Sequence, residues 1–190
     1  MYIMNFEKLF EESVLDFRDN FINILNLKRE IKKSIHLILS SLKKGGKIMF
    51  CGNGGSAAES NHLSAELIGR YLKKRHSIAS ISLASDQSNL TALGNDFDFS
   101  QIFSRQIEGI GKKGDVLFAL STSGKSPNIL KAIASAKRKK IKVIFLTSEI
   151  LKKKIKVDCL IKVPGNRVDR IQELHLFIGH FICKNIEDNY

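Results

Sequence analysis

Apolar residues recur at spacings of three and four through the N-terminal part of the chain. Phe6, Leu9, Phe10, Val14 and Phe17 form one series, and Phe21, Ile24, Leu25, Leu27, Ile31, Ile35, Leu37 and Ile38 form a second. That period predicts helices over residues 5 to 44, closed by the pair Gly45-Gly46. A solitary core would cover part of this apolar surface, and partner subunits would cover more of it. Beyond residue 46 the pattern changes to short, non-alternating apolar runs separated by helical stretches. Strands are expected at 47–51, 78–83, 115–120, 143–147 and 159–163. Helices are expected at about 56–72, at 127–139 with Ser126 as N-cap and Pro127 in its first turn, and from Asp169 to about Ile186, punctuated by Gly179. The stretch 87–109 shows short helical patterns broken at Gly94-Asn95-Asp96. Strands without polar alternation belong to parallel sheets buried on both faces. The expected fold class is therefore α/β: one domain with a central five-stranded parallel sheet flanked by helices. Residues 1–44 form its N-terminal helical segment, extending to subunit interfaces, and residues 45–190 form the α/β part.

Composition narrows the class. The 190 residues are 43% hydrophobic with two prolines, which fits a packed core rather than a disordered chain. A formal charge of +12 raises nucleic acid as a partner. The positive residues fall in short clusters (Lys73-Lys74-Arg75, Lys137 to Lys140, Lys152 to Lys154) at helix ends and loops. This distribution reads as solvated surface, so no nucleic-acid partner is expected. Cys51, Cys159 and Cys183 are scattered and odd in number, as reduced intracellular thiols are. The stretch from Met1 to Asp19 is acidic and amphipathic, unlike a signal peptide. No apolar run reaches the ~20 residues of a membrane span. A cytoplasmic protein without membrane association is expected.

Two polar loops stand at strand carboxyl ends, where ligands bind in open parallel sheets. The first, Gly52-Asn53-Gly54-Gly55-Ser56, has glycines that permit close backbone approach and leads into a helix whose free N–H groups attract anions. That helix carries His62 and Glu66, four apart and so on one face. Taken alone they read first as an ordinary surface pair, and next to the glycine loop also as a metal pair or as a base with its partner. The second loop, Ser121-Thr122-Ser123-Gly124-Lys125-Ser126, sets four hydroxyls and a helix start within six residues, a natural cradle for a phosphate ester. Gly124-Lys125-Ser126 is also the tail of a nucleotide-triphosphate loop, but that motif needs a glycine at position 119, where alanine stands. Asn95-Asp96 could hold sugar hydroxyls or simply form a turn. The last helix carries Gln172, Glu173, His175 and His180 among apolar neighbours, where a polar side chain is most often a satisfied buried group.

Together these residues resemble the phosphoheptose isomerases of the sugar isomerase (SIS) domain superfamily. The likeness runs from about residue 5 to 186. It rests on Gly52-Asn53-Gly54-Gly55-Ser56, His62 and Glu66 leading to Gly69-Arg70-Tyr71, and Gly94-Asn95-Asp96-Phe97. It continues through Ser121-Thr122-Ser123-Gly124 with Ser126, and Asp169-Arg170-Ile171-Gln172-Glu173 with His180. The two loops mark the superfamily; the set His62, Glu66, Gln172 and His180 is the more specific part. The resemblance implies an intramolecular oxidoreductase converting sedoheptulose 7-phosphate to D-glycero-D-manno-heptose 7-phosphate, the first step toward nucleotide-activated heptose for lipopolysaccharide or capsule. It implies a homotetramer with sites at subunit interfaces, and one zinc ion per subunit held by His62, Glu66, Gln172 and His180. It implies substrate contacts from Asn53, Gly54, Gly55, Glu66, Asn95, Asp96, Ser121, Thr122, Ser123, Ser126 and Gln172, with Glu66 and His180 as the catalytic acid/base groups. The alternative is a non-catalytic SIS-domain regulator that binds sugar phosphates, of the replication-initiation partner type.

Two features set this chain apart from that pattern. Residues 147–158 are lysine-rich where a glycine-rich loop is expected, and Ala57 and Ala58 follow Ser56 where bulkier or polar residues are common in relatives. One geometric constraint also follows. Gln172 and His180 are eight apart, so on a continuous helix they differ by ~12 Å of rise and ~80° in direction. Two ligands of one metal are then expected to come from different subunits, or from a helix broken near Gly179.

Overall fold

The computed structural model describes residues 5–190. Residues 1–4 of the expected N-terminal segment lie outside the described residues. In chain order the elements are α1 (Phe6–Asn23), a 3₁₀ turn (Ile24–Leu27), α2 (Lys28–Leu42), β1 (Ile48–Cys51), α3 (Gly55–Ile68), β2 (Ser80–Ser82) and α4 (Gln87–Asp96). Then follow a second 3₁₀ turn (Phe99–Gln101), α5 (Ser104–Ile110), β3 (Val116–Leu120), α6 (Pro127–Arg138), β4 (Lys142–Ser148), β5 (Cys159–Val163) and α7 (Val168–Asn189). All four strand pairings are parallel, in the order β2-β1-β3-β4-β5.

Every residue of β1 and β3 is buried, because alternate side chains feed two separate cores. Phe50, Phe118, Leu120 and Ile144 face α2, α3 and α7, which contribute Ile38, Leu63 and Ile178. Met49, Leu117, Ala119 and Phe145 face α5 and α6, which contribute Ile107 and Ile129. The chain runs outward in opposite directions from β1 and β3, so the loops that follow these two strands diverge and open a crevice at the sheet's switch point. That crevice positions the site.

Several local expectations are corrected. α4 includes Gly94 and Asn95 and ends at Asp96, so the expected break falls at the end of that triplet and not within it. It is started by Asp86, whose carboxylate accepts from the Asn89 N–H (3.0 Å), and one interior glycine costs a helix only about 1 kcal/mol. α7 is likewise continuous through Gly179. Gly179 is a point of close packing instead: a β-carbon there would lie 2.6 Å from Leu63 Cδ1 and Cδ2. Ser126 precedes α6 but its side chain caps nothing; its Oγ lies 3.4 Å from Ser121 Oγ. α3 ends at Ile68 rather than near residue 72, and β2 is a three-residue edge strand.

α1 buries none of its side chains fully, and Phe6, Leu9, Phe10 and Val14 are each about half exposed or more. No described helix is long and apolar enough to cross a membrane.

Candidate active site

Glycines shape the first loop. A β-carbon at Gly52 would lie 2.3 Å from the Ser56 carbonyl oxygen, and one at Gly55 would lie 2.3 Å from Gln172 Nε2. Gly54 has φ +54° and precedes the first turn of α3, a conformation that glycine adopts without strain. The absence of side chains therefore lets the chain turn tightly and lets Gln172 of α7 lie directly against the loop.

The second loop is built from its own hydroxyls. Ser121 Oγ accepts from the Gly124 N–H (3.1 Å) and Ser123 Oγ from the Lys125 N–H (3.2 Å). Ser148 Oγ donates to the Thr122 carbonyl (2.6 Å). Ser121, Thr122, Ser123 and Ser126 thus form a compact turn at the N-terminus of α6. The two loops are tied by a reciprocal amide pair: Asn53 Nδ2 donates to Asn128 Oδ1 (2.9 Å) and Asn128 Nδ2 donates to Asn53 Oδ1 (2.7 Å). Sequence reasoning missed Asn128. Its signal was an amide one residue beyond Pro127, at the first turn of a helix already read as ligand-facing. Asn95 and Asp96 lie exposed at the end of α4, where Asn95 Nδ2 donates to Asp96 Oδ1 (2.9 Å).

Farther along α3, His62 and Glu66 meet His180 of α7. His62 Nε2 is 2.7 Å from His180 Nε2 and 3.4 Å from Glu66 Oε1, and one ligating atom from each of the three lies within 4.8 Å of the others. At 2.7 Å one imidazole donates to the other's lone pair, or both lone pairs turn to a shared cation. Two imidazole nitrogens and a carboxylate oxygen are a donor set able to hold a transition-metal ion. Burial, and then His62, hold His180 below the usual imidazole pKa, with Glu66 opposing, which keeps its lone pair available. The Tyr71 ring stacks on His180 at 5.5 Å and 27°.

Gln172 does not join this cluster within one chain. It lies against Gly55 at the start of α3, while His62 stands seven residues on, ~10 Å along the helix axis. With α7 unbroken, a bend at Gly179 is removed as a way of bringing Gln172 to His180.

A second polar group lies apart from this cluster, and the reading of His175 as a buried polar side chain of the last helix holds, though its partner Glu59 was missed. His175 is fully buried and its Nε2 lies 3.2 Å from the Thr147 carbonyl; its Nδ1 lies 4.0 Å from Glu59 Oε2. This is no ion pair. Burial lowers the His175 pKa to about 4, against the Thr147 contact, and raises that of Glu59 to about 7, against a hydrogen bond from Ser56. His175 is held uncharged and Glu59 keeps its proton up to near neutral pH, each with one unpartnered atom.

The SIS domain family model matches residues 10–148. The phosphoheptose isomerase of Rhodospirillum rubrum is 47% identical over 171 residues, covering 90% of this chain and 91% of that protein. The chain belongs to the phosphoheptose isomerase family of SIS-domain proteins. Solved phosphoheptose isomerases share its fold. The structure from Neisseria gonorrhoeae has a TM-score of 0.83 at 36% identity, covering 95% of this chain and 99% of that one. The structure from Francisella tularensis has a TM-score of 0.88 at 31% identity, covering 99% and 100%. Membership in the family accounts for the two-loop crevice. The cluster of His62, Glu66 and His180 lies farther along α3, where it meets α7.

Proposed function

We propose that the chain is an aldose–ketose isomerase that converts sedoheptulose 7-phosphate to D-glycero-D-manno-heptose 7-phosphate, the first step toward nucleotide-activated heptose for lipopolysaccharide or capsule. The observation that carries this reading is the convergence of His62 and Glu66 of α3 with His180 of α7, in a chain 47% identical to a phosphoheptose isomerase.

Ser121, Thr122, Ser123 and Ser126, with the N-terminus of α6, take the phosphate. Asn53, Gly54, Gly55, Asn95, Asp96 and Gln172 contact the sugar. Glu66 removes a proton from C1 of the ketose while His180, uncharged at rest, takes the C1 hydroxyl proton and passes one to the C2 oxygen, through an enediol. Glu66 then returns its proton to C2, leaving the aldehyde at C1 and a hydroxyl at C2. Zinc, held by His62, Glu66 and His180 with Gln172 of a neighbouring subunit, would polarise and orient the substrate oxygens when bound. A Glu66 carboxylate and a His180 imidazole committed to a metal are less free to carry protons, so the two roles compete for both side chains.

Assembly as a homotetramer with sites at subunit interfaces would cover the apolar residues that α1 leaves open. A cytoplasmic location fits this metabolic step. A non-catalytic regulator would require only the phosphate cradle, and the three-residue cluster favours the enzyme over it. The test is incubation with sedoheptulose 7-phosphate and zinc, following aldose formation. Turnover is expected, and Glu66→Gln should keep ligand binding while losing turnover by several orders of magnitude. Binding without turnover in the parent protein would return the regulator reading.

A further inference from the structure

We propose that Glu187 and Arg75 form a positioning pair that sets His180 of α7 against His62 and Glu66 of α3, acting through the loop at residues 69–77. The inference rests on the reading of His62, Glu66 and His180 as the reacting and metal-holding groups.

Glu187 is seven residues beyond His180, so both lie on the stripe of α7 that faces α3 and the loop leaving it. Its carboxylate is almost completely enclosed and accepts three successive backbone N–H groups, from Tyr71 (3.0 Å), Leu72 (2.8 Å) and Lys73 (3.0 Å). It also accepts from Arg75 Nε (3.2 Å). A concave run of amides closed on one anion leaves the loop little freedom. The guanidinium of Arg75 is directed the other way. It donates to the carbonyl oxygens of Glu66 (2.7 Å) and Leu67 (2.8 Å), in the last turn of α3, and to that of His76 (3.0 Å). Those last-turn carbonyls have no partner within the helix, and a cation there complements the helix dipole.

Three connections meet at the metal-binding cluster. Arg75 holds the backbone of Glu66 itself. Glu187 holds α7 at the register that presents His180. The Tyr71 amide, fixed by Glu187, places its ring on the His180 imidazole. A buried ion pair is weak evidence of stability alone, since desolvation offsets much of its attraction. This pair joins the two elements whose separation defines the cluster.

The test uses the full-length protein stripped of metal. It reads zinc affinity by competition with a chelating indicator, and the His180 ring resonances by ¹⁵N NMR. Glu187→Gln is expected to weaken zinc binding by roughly 10–100-fold, as loss of groups that orient metal ligands does, and to move the His180 resonances. Asp188→Asn, which removes only the exposed ion pairs to Lys73 and Lys184, should change neither. If Glu187→Gln does not fold, Arg75→Lys and Tyr71→Leu give the same readouts, because lysine lacks the fork that spans several carbonyls. A lowered melting temperature with zinc affinity and His180 resonances unchanged overturns the proposal. In a parent protein that takes up no zinc, the resonances decide alone by the same two outcomes. A parent that binds zinc but does not turn over sedoheptulose 7-phosphate would sink the functional reading and leave this inference standing.

Discussion

Gly179 of α7 and Leu63 of α3 are packed so closely that a β-carbon on Gly179 would lie 2.6 Å from both Leu63 methyl carbons. The contact lies one residue from His180 on one helix and one from His62 on the other. The spacing of the two histidines therefore follows from the lack of a side chain at 179. Gly179→Ala should gain about 1 kcal/mol of helix propensity and lose about 1–3 kcal/mol to overpacking, a net loss with the cluster spread apart. Adding Leu63→Ala should relieve the clash, so that the double variant is more stable than the sum of the two single effects. Additive melting shifts would show that the helices do not meet there.

Asn128→Ala removes the reciprocal amide pair with Asn53. The expected outcome is a rise in KM of about tenfold with a smaller change in kcat, since the ground-state pocket is loosened and the groups proposed to move protons are untouched. A fall in kcat alone would argue against this role.

Gly55→Ala should leave stability within about 0.5 kcal/mol, because the added methyl meets only the flexible end of Gln172. It should nonetheless lower kcat/KM by tenfold or more by displacing that amide. Unaltered kinetics would show that the placement of Gln172 against this loop is not needed.

Glu59 gives a pH-dependent signature. Its pKa in the fold is about 7, above the ordinary 4.5, so the native state binds the proton more tightly than the unfolded chain does. Stability therefore falls as pH rises from about 4.5 to 7 and levels off above that. Glu59→Gln should remove this loss and raise the melting temperature relative to the parent at pH 8, by an amount of order 3 kcal/mol at most, with little difference near pH 4.5. His175 acts in the opposite window. Its depressed pKa of about 4 makes stability fall as pH drops from 6.5 toward 4, so the difference between variant and parent, not the raw curve, isolates Glu59. A pH-independent difference would show that Glu59 is charged in the fold.

Much of this architecture is legible in the chain's own pattern. Fully apolar runs announced a parallel sheet, and β5 falls on the expected residues. Both functional loops stand at strand ends because hydroxyls and glycines directly after a buried run have few other uses. What the pattern does not encode is which elements become neighbours. Glu187 and Tyr71 are far apart in sequence and meet only once α7 lies along α3. Asn53 and Asn128 meet only because β1 pairs with β3. Glycine was misread at 179: helix propensity marks it as a breaker, while the tertiary contact with Leu63 makes its small size the requirement.

α7 visits the whole site in order along a single stretch of chain. Gln172 meets the glycine loop, His175 the buried Glu59, Gly179 the Leu63 methyls, His180 the other two members of its cluster, and Glu187 the loop at 69–77. Each added or deleted residue on a helix shifts everything downstream by ~1.5 Å and turns it by ~100°. Between 172 and 187 the family can therefore exchange side chains but not change length, whereas the lysine-rich connection between β4 and β5 meets no such ruler. Insertions and deletions among relatives should accumulate in that connection and be absent from this part of α7.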